Sequence, residues 1–172
     1  VIAATIFSAN TFAQCDSGER IIKFSFVTAA TGHPKGEAAT AIAKRINSEM
    51  NGKACMQLFP SSQLFDDNKV MEAILLGDVQ VAAPSLSKFE SFTKKYRIFD
   101  FPFLFSDMES VNRFTQGPKG QELLGAIEDK VYVGLSYLFN GLKQFSANKP
   151  SILPSDEAAR KYRVQPHDLA VA

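Results

Sequence analysis

An α/β fold is what the sequence predicts, on three observations. Short β-prone runs alternate with helical stretches from Ile21 onward. Within the helical stretches the apolar residues recur at helix spacing, and Asn51-Gly52 and Gly77 stand where left-handed terminators belong. No internal repeat or low-complexity segment breaks this rhythm.

The elements follow in order. Ile21 to Phe26 is a strand by its β-branched and aromatic content, and the polar loop Thr28 to Pro34 comes after it. Gly36 to Met50 is predicted helical, with Ala39, Ile42, Ala43, Ile46 and Met50 on one face. Ala54 to Phe59 is a second strand, and Asp66 to Leu76 a second helix with Asp66 as N-cap and Val70, Met71, Ile74 and Leu75 inward. Val79 to Ala83 is a third strand. Helices are then expected over Asp107 to Thr115 and Lys119 to Lys130, and strands near Val131 to Leu138, Lys143 to Ala147 and Tyr162 to Gln165. The segment Ile98 to Phe105 holds four phenylalanines around Pro102, which fixes φ, so it reads as an extended buried hinge or core segment in preference to a ligand-stacking surface.

Composition narrows the function. With 45% apolar and 22% charged residues over 172 positions the chain is ordinary globular material, and a net charge of +1 leaves no electrostatic footprint for nucleic acid. Lys94, Lys95 and Arg97 beside Tyr96 read as a solvated surface turn. Val1 to Ala13 is uncharged, apolar and small, and reads as the tail of a signal peptide cleaved near Ala13, with a buried first element as the alternative. The run is too short for a membrane span. Two cysteines in a chain that reads as exported suggest a Cys15–Cys55 disulfide, worth roughly 4 kcal/mol by loop entropy. His33 and His167 have neither CxxC nor HxxxH spacing beside them, so no metal site is expected, and no phosphate-cradling, nucleotide-cofactor or nucleophile-elbow motif is present. Asp66-Asp67 opens a helix and reads as capping rather than acid/base chemistry.

Several motifs together carry a resemblance. FSFVTAATGHPKGEAA, FPSSQLFDDNKVMEAILLGDVQVAAPSLSKF, FDFPFLF, NGLKQFSANKP and YRVQP resemble, in order and spacing, the C4-dicarboxylate-binding proteins of tripartite ATP-independent periplasmic (TRAP) transporters. The resemblance runs from about Ile21 to Asp168. It implies a type II periplasmic-binding-protein-like α/β fold and a non-enzymatic, monomeric, periplasmic protein that closes on a small organic acid and hands it to integral membrane subunits. On that basis residues 1–13 are a residual signal, 14–140 domain one, and 141–172 the crossover strands and the start of an incomplete domain two.

The resemblance also implies a site. Arg163 in YRVQ matches the arginine with which family members clamp a carboxylate, for which a guanidinium fork is suited, the alternative being a surface ion pair. Lys143 in NGLKQ occupies a position held by a second arginine in sialic-acid-type relatives and is a candidate for the other carboxylate, or else an exposed strand lysine. Thr28, Ser85 and Ser87 stand where α/β sheets place ligands, and each is equally explained as a cap or backbone partner. His33 is a candidate lid contact in the first loop. Two rival functions use the same fold: the ligand-sensing domain of a receptor, and an enzyme.

Overall fold

A computed structural model describes residues 15–142 together with 148, 149, 152, 153 and 155. The chain divides between Pro84 and Ser85 into two compact units.

In the first unit three parallel strands form a sheet in the order β2–β1–β3: β1 is Arg20–Ser25, β2 Ala54–Phe59 and β3 Val81–Ala82. The β1–β2 register runs from Arg20 opposite Ala54 to Ser25 opposite Phe59, while β3 meets only Phe24 and Ser25. Parallel neighbours need crossovers, and α1 (Pro34–Glu49) and α2 (Val70–Leu76) supply them. Phe24, Phe26, Ala39, Ala43, Met56, Leu58, Val70 and Val79 are buried, each large side chain contributing about 1.5–3 kcal/mol by leaving water.

Helix α1 is held on β2 by one side chain used twice. Asn47 Oδ1 accepts from the Met56 amide at 2.6 Å and its Nδ2 donates to the Met56 carbonyl at 3.2 Å, so a polar residue satisfies the outer side of β2. Asn51 (φ 47°) and Gly52 (φ 74°) turn the chain out of the helix in left-handed conformations, and Gly77 (φ 81°) does the same for α2. The expected apolar stripe is narrower than the spacing suggests: Ala39 and Ala43 are buried, but Ile42 and Met50 are exposed. The start of α2 also differs. Asp66 Oδ1 accepts from the Asn68 and Lys69 amides in a separate turn, and the helix begins at Val70.

The second unit is built on aromatic contacts. Phe89, Phe92, Tyr96 and Tyr132 meet edge to face around two 3-10 turns, Leu86–Phe89 and Lys95–Asp100. A second group joins Phe99, Phe105, Phe114 and Tyr137. Helices α3 (Met108–Gln116) and α4 (Pro118–Leu124) follow, and a 3-10 turn over Gly125–Lys130 replaces the rest of the expected second helix. Asp107 opens α3 through a reciprocal cap with Ser110, whose amide holds the Asp107 carboxyl below its ordinary range.

Three expectations change here. Ile98 to Asp100 are helical, and the extended conformation begins at Phe101 (φ −66°, ψ 125°), where the following proline enforces it. Phe101, Phe103 and Leu104 are exposed, and the flanking Ile98, Phe99 and Phe105 are half-buried. Val131 to Leu138 makes no ladder with any of the described residues, and a strand is completed only by a neighbour. Arg97, read as solvated, is partly buried and forms a two-point ion pair with Glu90.

The expected disulfide is present: Cys15 and Cys55 are joined, with Cα atoms 5.7 Å apart across a separation of 40 residues. It ties the chain ahead of β1 to β2. Replacing both cysteines by serine is expected to lower the stability of the oxidised protein by up to about 4 kcal/mol in a denaturant titration, and a reductant should do the same to wild type.

Candidate functional site

The strands of the first unit run in one direction, so β1 and β3 bring their carboxyl ends to one edge. In open α/β sheets that edge is where ligands sit. The chain leaves β1 through Phe26 and Thr28, which serve as backbone anchors: the Ser62 amide donates to the Phe26 carbonyl at 3.2 Å and the Ser61 amide to that of Thr28 at 2.9 Å. The loop then presses on the first turn of α1. A Cβ on Gly36 would lie 1.9 Å from the Ala29 carbonyl oxygen, so only glycine fits. Thr40 Oγ1, donating to the Gly36 carbonyl at 2.9 Å, marks the same packed corner.

Within this corner the Thr28 hydroxyl is buried and has no hydrogen-bond partner among the described residues. His33 is the N-cap of α1: its Nδ1 accepts from the Lys35 amide at 3.2 Å, and Pro34 takes the first helical position, where a missing N–H costs nothing. A capping role explains His33 locally and leaves Nε2 for other contacts.

The second unit carries the serine pair. Ser85 stands at the start of the Leu86–Phe89 turn, and its carbonyl accepts from the Lys88 amide at 2.9 Å. Inside that turn the Ser87 hydroxyl is buried without a partner among the described residues. Buried hydroxyls are nearly always bonded, so Thr28 and Ser87 are exceptions that call for a reason. Arg163 and Lys143, the candidate carboxylate partners, lie outside the described residues.

Two other features do not form a site. Cys15, Cys55 and Glu19 bring ligand-type atoms within 4.8 Å of one another, but both sulfurs are spent on the disulfide. An open depression of about 330 Å³ in the second unit is lined by Gln121, Leu135 and Tyr137. Its polar groups are already engaged: the Tyr137 hydroxyl donates to the Gly120 carbonyl at 2.9 Å, with burial pushing its pKa up to about 12, and Gln121 Nε2 donates to the Thr115 carbonyl.

Comparison with known proteins decides the family. The model of DctP, bacterial extracellular solute-binding protein family 7, matches residues 24–172. The chain belongs to this family. It is 57% identical over its whole length to the C4-dicarboxylate-binding periplasmic protein DctP of Vibrio cholerae, covering 53% of it, and 49% identical over 88% of the chain to DctP of Shewanella loihica, covering 45%. Among solved structures it resembles a TRAP periplasmic solute-binding protein of Shewanella oneidensis with bound succinate (TM-score 0.76, 51% identity, 80% of this chain and 45% of that one). A similar protein of Pseudomonas aeruginosa with bound L-malate gives TM-score 0.81 at 39% identity over 86% of this chain and 51% of that one. The chain therefore spans about half the length of the DctP proteins it matches. The architecture is that of the type II periplasmic-binding-protein-like fold of these neighbours, an α/β unit on a parallel sheet.

One residue at this edge escaped the sequence reading. Lys35 is only 3% exposed, and its Nζ donates to the Ala83 carbonyl, just past β3, at 3.0 Å. Burial lowers its pKa, and the charge of Asp67 offsets part of that shift. The available signal was its position. A lysine in the first turn of a helix stands at the positive end of the dipole, where acids are preferred.

The sign of the resulting pH dependence is fixed. The unfolded chain holds the Lys35 proton up to its ordinary pKa of 10.5 while the folded chain gives it up earlier, so between those two pH values the unfolded state binds more protons and stability rises with pH. The stability of wild type relative to Lys35→Met is therefore expected to increase with pH in that window and to be level below it. Denaturant titrations of both proteins from pH 7 to 10.5 check this.

Proposed function

We propose that the protein carrying this chain is the periplasmic receptor of a TRAP transporter, which captures a C4-dicarboxylate and delivers it to integral membrane subunits without chemical turnover. The observation that carries the reading is 57% identity, along the entire chain, to a C4-dicarboxylate-binding periplasmic DctP. The succinate and L-malate held by two structurally similar proteins support the same ligand class. Periplasmic location accords with the names of these relatives and with a disulfide, which persists in oxidising compartments.

In this reading Arg163 clamps one carboxylate through its paired guanidinium donors and Lys143 faces the other end as a point charge. Thr28 in the first unit and Ser87 in the second, whose hydroxyls are buried without a partner among the described residues, are each a candidate to orient an oxygen of the acid, as are His33 and Ser85 in their respective units. The domain boundary near residue 140 is where the chain passes into domain two.

Calorimetric titration of the full-length protein with succinate, malate, fumarate and butyrate tests the reading. Diacids are expected to bind and butyrate to bind far more weakly, with no product released from any of them. Arg163→Lys is expected to weaken succinate by roughly 2–5 kcal/mol, about thirtyfold or more, and Lys143→Met to weaken diacids more than monoacids. Equal affinity for succinate and butyrate would remove the dicarboxylate assignment.

A further inference from the structure

Lys35 is a buried cation whose surroundings in the first unit do not account for it. An ammonium group has three donors, and among the described residues the Ala83 carbonyl matches one of them. Two separate costs fall on this side chain. It is removed from water, and it stands in the second position of α1, where the unsatisfied amides already present positive charge. The Asp67 charge opposes the desolvation but is the smaller influence. Thr28 precedes Ala29, whose carbonyl touches Gly36 at the same helix start, and the Thr28 hydroxyl is buried without a partner among the described residues. Among the described residues, a cation with one acceptor and a hydroxyl with none therefore stand on the loop and helix start that follow β1, at the end of the sheet where β3 also stops. One chemical group relieves both: a carboxylate accepts from the ammonium and the hydroxyl together and lowers the positive charge at the helix start.

We infer that Lys35, with the Thr28 hydroxyl, forms the carboxylate subsite of the first unit and is a determinant of selectivity for diacids over monoacids. The inference rests on the dicarboxylate-receptor reading. It assigns a specific cation that the motif resemblance had left out. A purely structural alternative would have Lys35 only tether α1 to the end of β3 through the Ala83 carbonyl, and that role makes no distinction between acids.

The test is calorimetric titration of full-length wild type, Lys35→Met and Thr28→Val with succinate and with butyrate at neutral pH. Lys35→Met is expected to weaken succinate by roughly thirtyfold or more and butyrate by about threefold or less, so that the preference for the diacid collapses. Thr28→Val, which keeps the shape and loses one hydrogen bond to the charged carboxylate, is expected to weaken succinate by roughly tenfold or more. If Lys35→Met binds succinate within about threefold of wild type, or changes the melting temperature while leaving the succinate-to-butyrate ratio intact, the subsite assignment is overturned. Because that variant removes a buried group, the wild-type protein labelled with ¹⁵N-lysine supplies a second measurement: the Lys35 Nζ resonance must shift on saturation with succinate, and an unmoved resonance overturns the assignment even if Lys35→Met fails to fold. Wild type that takes other carboxylates but no C4-diacid sinks the dicarboxylate reading alone, and the same Lys35→Met ratio then judges the subsite on the acid that does bind. Wild type that binds no carboxylate overturns both.

Discussion

The contact between the Ala29 carbonyl and Gly36 governs the edge of the first sheet. With a would-be Cβ 1.9 Å from that oxygen, the residue must be glycine, and the loop leaving β1 must lie directly on the first turn of α1. Everything near the contact inherits its geometry. Lys35, one residue earlier, is buried beneath the loop, and its long side chain reaches the Ala83 carbonyl. Thr28, one residue before Ala29, has its hydroxyl turned out of water. His33 caps the helix, its Nδ1 accepting from the Lys35 amide. A larger residue at Gly36 would lift the loop and open all of these groups to solvent.

How far the sequence reaches can be read from the kinds of interaction involved. Local rules located α1, β2, the left-handed exits at Asn51-Gly52 and Gly77, and the helix that begins near Asp107, because each depends on residues within one or two turns. The Cys15–Cys55 bond was legible because two cysteines allow one pairing. What failed was non-local. Val131 to Leu138 has strand-like composition, but composition cannot supply a neighbour, and in the structure Val131, Val133 and Leu135 stay exposed. Pro102 was legible as a breaker, yet its effect reaches only Phe101, and Phe103 enters a left-handed conformation (φ 60°) with its ring in solvent.

The candidate site divides in the same way. Thr28 and Ser87 were found by their positions after strand-like runs, and both prove to be buried hydroxyls without partners among the described residues. His33 was found for its chemistry, and helix capping explains its place. Lys35 was passed over because it falls between the predicted loop, Thr28 to Pro34, and the predicted helix from Gly36. Only the packing at Gly36 shows that it is buried, and that packing depends on a carbonyl seven residues earlier in a loop whose path no periodicity predicts.

Buried groups left unbonded are a cost in the ligand-free protein and a source of selectivity in the bound one. A hydroxyl or ammonium that has already left water does not have to be desolvated again when a carboxylate arrives, so more of the new hydrogen bond appears as affinity. The same arrangement penalises an acid that lacks the matching oxygen, since the group is then enclosed with no partner. In the proposed receptor such a ligand would also stabilise the folded state, by an amount that grows with the logarithm of its concentration over its Kd, and so offset the cost of holding Lys35 charged at the positive end of α1. In the proposed receptor, which must hold its cargo and also release it, this balance would set how firmly the acid is kept: the empty corner would be tense and the occupied one relaxed.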